Sequence, residues 1–321
     1  MGNSLKIVYV LVSGESDYFY EQTLISASSA RHWNPEAKIV VVMDDRTDST
    51  LIGRRTSLLE VADQKVVVQL PANMNNKRRS RILKTSVRDL VEGDFIYIDS
   101  DTVICQPLPS LNQFRCEIGA VLDRHVYLQR ERDYLVLQRV KLLGGTFSDG
   151  EAYYNSGVLI VKDTEKTHSF FSDWKALYEK GVAVGQDFDQ PALLLCNQKH
   201  NLIEAVDGIY NCQIFTGGLP YLGDAIIIHA FNIFGYSSFF LFNDSKFLQK
   251  IREQGKLAEE DLKCVEEPKR QFRGEYALLY GDMMGFYQSS LFHLYNDSLT
   301  CFRFVERVGK FLLLLSRKFG K

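Results

Sequence analysis

Seven apolar runs, rich in β-branched and aromatic side chains, punctuate the first 230 residues: 5–12, 38–43, 65–70, 95–98, 118–122, 156–161 and 225–230. Runs of this length predict strands buried on both faces of a sheet. Between them, helical spacing covers 20–33, 48–62, 76–91, 164–180 and 188–199, with Asp48 or Ser49 as a cap for the second. The alternation predicts an α/β fold, a mostly parallel sheet flanked by helices. Beyond about residue 243 the strand signal fades into charged, aromatic helical sequence. The expected division is therefore 1–242, the α/β domain, and 243–321, a helical extension with a basic, aromatic tail.

The ends of these runs are polar. The first leads through Val12 into Ser13, the second into Asp44 and Asp45, the fourth into Asp99-Ser100-Asp101 and the fifth into Asp123; the last carries His229. Ligands of open α/β sheets bind outside the carboxyl ends of the strands, so adjacent strands would gather these residues in one crevice. A single polar residue after a strand is ordinarily a turn, but this many together point to a site. Two carboxylates one residue apart repel unless something positive sits between them. Their oxygens suit a hard divalent cation, Mg²⁺ or Mn²⁺, of the kind that bridges nucleotide phosphates. Neither G-x-x-x-x-G-K-[ST] nor G-x-G-x-x-G occurs after the first strand.

Composition narrows the field. With 321 residues, 45% hydrophobic and 24% charged, the chain can bury a sizeable core. A formal net charge of −2 argues against a nucleic-acid partner. Six cysteines without a C-x-x-C pair, behind an N-terminus lacking a secretory pattern, imply a cytoplasmic protein with free thiols. Residues 301–321 hold six basic side chains against Glu306 alone. Within 302–321 an apolar run, 311–315, lies between basic groups. That pattern fits peripheral contact with the anionic inner face of the cell membrane, or else a terminal helix packed on the core.

Four segments, in order, resemble the GT-A glycosyltransferases, and within them family 8, the glycogenin and lipopolysaccharide galactosyltransferase-like enzymes. They are RILKTSVRDLVEGDFIYIDSDTVI, YYNSGVLIV, DFDQPALLL and IIIHAFNIFG. The resemblance implies a GT-A (Rossmann-like) fold and a UDP-sugar donor. It makes Asp99, Asp101 and His229 the metal ligands, an imidazole among carboxylates favouring Mn²⁺ over Mg²⁺. Val12 and Ser13 would border the uracil base, and Arg81 would face the diphosphate or ribose. Ser100 and Asp44 or Asp45 would also lie near the nucleotide. Asp123, Asn155 and Asp189 would contact the donor sugar, with Gln190 near its anomeric carbon. Two features depart from the pattern. No lysine follows Gly235 to neutralise the leaving diphosphate, so Lys246 or another base takes that role or the role is absent. Pro191 stands where the family carries an acidic residue.

The expected activity is metal-dependent transfer of a hexose from a UDP-sugar to a glycan or lipid-linked glycan acceptor, in lipopolysaccharide, capsule or other cell-surface glycan synthesis. The resemblance implies retention, by double displacement or front-side attack. The neutral amide of Gln190 favours front-side attack with Gln190 positioning, and Asp189 is the fallback nucleophile. Two alternatives stand beside it: a nucleotidyltransferase acting on sugar phosphates, for which VSGESD (12–17) is only a faint phosphate loop, and a non-catalytic sugar-nucleotide-binding protein. Of Arg78, Arg79, Arg81, Lys84 and Arg88, most are expected on a solvated helix face, with one or two reaching phosphate.

Overall fold

In the computed structural model the continuous apolar runs become the centre of a sheet. Strands β1 (Lys6–Leu11), β2 (Lys38–Asp44), β4 (Phe95–Ile98) and β7 (Tyr154–Val161) are buried along nearly their whole length. With β3 (Gln64–Val68), β6 (Ile118–Leu122) and β8 (Ile203–Ala205) they form seven strands ordered β3-β2-β1-β4-β7-β6-β8. Pairing is parallel throughout except at β7, which runs antiparallel to β4 and β6. The order reverses between β1 and β4, which opens a crevice at their carboxyl ends. The structure describes residues 5–231, 239–272 and 290–319.

Alternate residues of each strand feed two cores. Ile7, Tyr9, Leu11, Ile39 and Val41 pack with Tyr20, Leu24 and Ala27 of α1 (Phe19–Trp33). Val8, Val10, Val40, Val42 and Tyr97 pack on the other face. Their partners are Ile82 and Leu83 of α4 (Asn76–Thr85), Phe170 and Trp174 of α7 (Glu165–Ala183), and Ala192 of α8 (Asp189–His200). Helices α9 (Ser245–Gln254) and α10 (Glu259–Glu266) belong to the first core through Phe247, Leu248, Ile251 and Val265. This compact unit spans Met1–Gly274, and a second unit spans Glu275–Lys321. The second contains helices Ser290–Asp297 and Leu299–Phe319, joined by an edge-on contact of the Tyr295 and Phe302 rings. Among the described residues no helix is long and apolar enough to cross a membrane. Gly235 and Lys321 lie outside the described residues.

Several elements differ from expectation. The helix expected at 48–62 is α2 (Asp45–Ser49), a tight turn at Gly53–Arg55 and α3 (Ser57–Val61). The left-handed Gly53, φ +57°, interrupts it, and Asp44, not Asp48 or Ser49, caps its start by accepting from Thr47 N–H. The helix at 76–91 breaks at Ser86 into α4 and α5 (Val87–Leu90). β3 lies at the sheet edge and is half exposed. A further helix, α6 (Tyr134–Leu142), escapes the pattern because Tyr134, Leu135 and Leu142 point outward. The run at 225–230 does not extend the main sheet. As β10 (Ile227–His229) it centres a small second sheet, antiparallel to β5 (Thr102–Ile104) and parallel to β9 (Cys212–Gln213).

Candidate active site

That small sheet builds the site. After β4 the chain passes through Asp99-Ser100-Asp101 and re-enters pairing as β5, where Thr102 stands opposite His229. Ala230 N–H donates to the Asp101 carbonyl at 2.8 Å, and Asp99 N–H to the Gly157 carbonyl at 2.7 Å. Asp99, Asp101 and His229 thereby offer ligand atoms all within 4.8 Å of one another. Donors about 2.1 Å from a cation lie about 4.2 Å apart when opposite each other, so modest closure suffices to bind one. Two carboxylates and an imidazole suit Mn²⁺ or Mg²⁺. Glycine at 157 is required by this convergence. A Cβ there would meet His229 Cε1 at 2.2 Å and both Asn155 Oδ1 and Asp99 Oδ2 at 2.9 Å.

Positive charge does sit between the aspartates and their surroundings. The buried Lys84 ammonium lies 3.1 Å from both oxygens of Asp99 and 3.7 Å from Asp189 Oδ2. Tyr97 OH also donates to Asp99, and burial together with that carboxylate drives the phenol pKa well up. His229 Nε2 lies 3.2 Å from Asp101 Oδ1. Burial opposes ionisation of Asp101, but the imidazole outweighs it and holds the carboxyl below its usual range.

Beside these residues a cleft of about 350 Å³ opens at the β1/β4 switch point, lined by Val10, Val12, Phe19, Lys77, Arg81, Asp99, Ser100 and Asp101. Ser100 Oγ accepts from Thr23 Oγ1 at 2.7 Å. Ser13 is next to the cleft, but its hydroxyl is spent internally, donating to Asp17 and accepting from Arg55. Asp44 is buried completely: Oδ1 accepts from Thr47 and Oδ2 pairs with the buried Arg79. It closes a turn and is not presented to the cleft. Asp45 is half-buried, with the Leu70 N–H at 3.5 Å.

Three of the expected sugar residues form one network, and Asp189 stands outside it. Asn155 Nδ2 donates to Asp123 Oδ1 at 2.9 Å, and Gln190 Nε2 donates to the same oxygen at 3.1 Å. Asp189 begins α8 with both oxygens engaged: Arg81 Nε is 2.9 Å from Oδ1, and Ser156 Oγ donates to Oδ2 at 2.8 Å. Burial disfavours its charge, yet Arg81, Lys84 and Ser156 prevail and lower the carboxyl pKa to about 2. In return Asp189 raises the pKa of Arg81.

The basic helix is not a solvated face. Arg79, Lys84 and Arg88 are buried, paired respectively with Asp44, with Asp99 and Asp189, and with the carbonyls of Val91 and Gly93. The i, i+3, i+7 spacing of Arg81, Lys84 and Arg88 marked one inward face. Lys77 and Arg81 line the cleft, whereas Lys246 is exposed on α9 and lines other depressions with Lys250. Lys84 and Asn211, which joins His229 to Asn155, were not singled out as site residues. Nothing local in the sequence marks Asn211, because both its partners are distant in the chain.

No protein-family model matches this chain, and no curated protein does. Among solved structures it is similar to the galactosyltransferase LgtC in complex with donor and acceptor sugar analogs. The identity is 15%, the match covers 80% of this chain and 98% of that one, and the TM-score is 0.51. An active-site mutant of LgtC matches with the same figures. The chain has the GT-A fold expected from its four segments.

Proposed function

We propose that this chain is a metal-dependent glycosyltransferase that moves a hexose from a UDP-sugar to a glycan acceptor. One observation carries the reading: Asp99, Asp101 and His229 converge at the rim of a cleft that also holds Arg81, at the switch point of the sheet. The LgtC likeness, with donor and acceptor sugar analogs in that structure, supports it.

Asp99, Asp101 and His229 would hold Mn²⁺ or Mg²⁺, which supplies Lewis-acid stabilisation of the departing diphosphate. Val12 offers an apolar wall to the base. Arg81 and Lys77 take the counter-charge role that no lysine after Gly235 supplies, in preference to the remote surface of Lys246. Arg81 is held in place by Asp189. Asp123, Asn155 and Gln190 order the sugar through their shared network. Asp189 is a poor nucleophile: 3% exposed, with both oxygens occupied. Retention therefore proceeds by front-side attack, with Gln190 positioning the sugar. A nucleotidyltransferase would need free groups after β1, but there Ser13, Asp17 and Arg55 are bonded to one another.

The acceptor is a lipid-linked glycan of the cell surface, such as lipopolysaccharide or capsule, met at the inner face of the membrane. The helix Leu299–Phe319 supports this, with exposed Phe304, Val308, Phe311 and Leu312 alongside Arg303, Arg307 and Lys310. The test of donor binding is thermal stability. Mn²⁺ with UDP at 100 times its Kd adds about 2.7 kcal/mol. Asp99→Asn and Asp101→Asn lose the metal-dependent part, and a wild-type protein unmoved by Mn²⁺ and UDP contradicts the reading.

A further inference from the structure

Asn211 is completely buried at the end of the turn Gly208–Asn211, just before β9, and both ends of its amide are engaged. One end lies 2.9 Å from His229 Nδ1 and the other 3.0 Å from the amide of Asn155.

Which end is oxygen follows from a single backbone group. Gly157 N–H can only donate, and it points at one amide atom of Asn155 from 2.9 Å, so that atom is oxygen. The other end of Asn155 is then nitrogen, which matches its 2.9 Å contact with the Asp123 carboxylate. Asn211 faces the oxygen of Asn155 and must present nitrogen to it. Its own oxygen therefore faces His229. An amide oxygen only accepts, so His229 carries a proton on Nδ1. Nε2, which faces Asp101 Oδ1 at 3.2 Å, is then the nitrogen through which the neutral ring would ligate a cation held with Asp99 and Asp101.

We infer that Asn211 is a positioning residue that fixes the ligating nitrogen of His229 and ties it to the donor-sugar network of Asn155, Asp123 and Gln190. The inference rests on the metal site proposed above. One backbone donor sets the polarity of the whole chain: Gly157 to Asn155, Asn211 to Asn155, and His229 to Asn211. Outer-shell partners of a ligating histidine fix its ring orientation and raise its basicity, and their loss weakens metal binding about 10- to 100-fold. Here the same side chain also reaches the sugar side, so its two hydrogen bonds serve separable ends.

The test measures Mn²⁺ affinity calorimetrically for the full chain, and then UDP and UDP-hexose affinities with Mn²⁺ present. Asn211→Ala loses both links and binds Mn²⁺ about 10- to 100-fold more weakly. Asn211→Asp keeps an acceptor for Nδ1–H, so it retains Mn²⁺ and UDP affinity. It sets a carboxylate against the oxygen of Asn155, so UDP-hexose binding falls selectively. If Asn211 were merely structural, Asn211→Asp would weaken all three together with Tm, and that result overturns the inference. So does an Asn211→Ala protein that binds Mn²⁺ like wild type. A measurement on the unaltered protein guards against variants that do not fold. In ¹⁵N spectra of the Mg²⁺-loaded chain, His229 shows a protonated Nδ1; an unprotonated Nδ1 there refutes the assignment. Failure of the underlying metal reading looks different: wild type and Asp101→Asn then bind Mn²⁺ equally poorly.

Discussion

Replacing Gly157 with alanine probes the convergence of the site by adding one methyl group. The new Cβ would lie 2.2 Å from His229 Cε1 and 2.9 Å from both Asn155 Oδ1 and Asp99 Oδ2. To restore even a tight 3.4 Å contact, His229 must retreat by more than 1 Å. It has little room, because Asn211 holds Nδ1 and β10 is anchored on both sides. The backbone at Gly157 is outside the left-handed region, so the cost is steric. Overpacking of this kind costs about 1–3 kcal/mol, and each kcal/mol lowers Tm by about 2–4 °C in a domain of this size. A displacement of about 1 Å in a catalytic group can cost about 100-fold in rate. The assay pairs thermal melting with Mn²⁺ titration of Gly157→Ala and of Gly223→Ala, where a Cβ meets nothing within 4 Å. Gly223→Ala should match wild type, whereas Gly157→Ala should melt lower and bind Mn²⁺ poorly. A Gly157→Ala protein that melts and binds Mn²⁺ normally would refute the packing of Asp99, Asn155 and His229 around this residue.

Three further outcomes are expected. Arg79→Ala strands the buried Asp44 carboxylate and should cost about 3–5 kcal/mol in urea unfolding; a loss below 1 kcal/mol would mean that Asp44 finds water. Asp189, with its folded pKa lowered to about 2, contributes stability that is complete above about pH 4 and fades as the pH falls toward 2. Wild type should therefore lose about 2 kcal/mol relative to Asp189→Asn over that range, and parallel acid profiles would contradict the Arg81 pairing. Deleting residues 302–321 should leave UDP-sugar hydrolysis intact while abolishing salt-sensitive sedimentation with anionic liposomes; equal sedimentation of both forms would exclude a membrane role for the tail.

The sequence made the strands legible where burial on both faces left a continuous apolar run, as in β1, β2, β4 and β7. Asp99, Asp101 and His229 were legible too, because an apolar strand leads to each and the resemblance ordered them. The second sheet was not, since strands of two or three residues such as β9 and β5 have no period to detect. Buried charges were misread for a related reason. Arg79 pairs with Asp44, 35 residues away, and Lys84 with Asp99 and Asp189, so a charged helix with distant partners looks like a solvated one. The burial of Asp44 was equally illegible, because the groups that take up its oxygens are its own turn and the distant Arg79.

The central claim is that Asp99, Asp101 and His229 hold a divalent cation that a nucleoside diphosphate sugar needs in order to react. Release of UDP from a UDP-hexose, followed with Mn²⁺ and after its removal by EDTA, measures this most directly. The account predicts turnover by the wild-type chain only with the metal present, its loss in Asp101→Asn, and partial recovery of His229→Ala in excess Mn²⁺. Turnover that survives EDTA, or a folded Asp101→Asn chain as active as wild type, would contradict it.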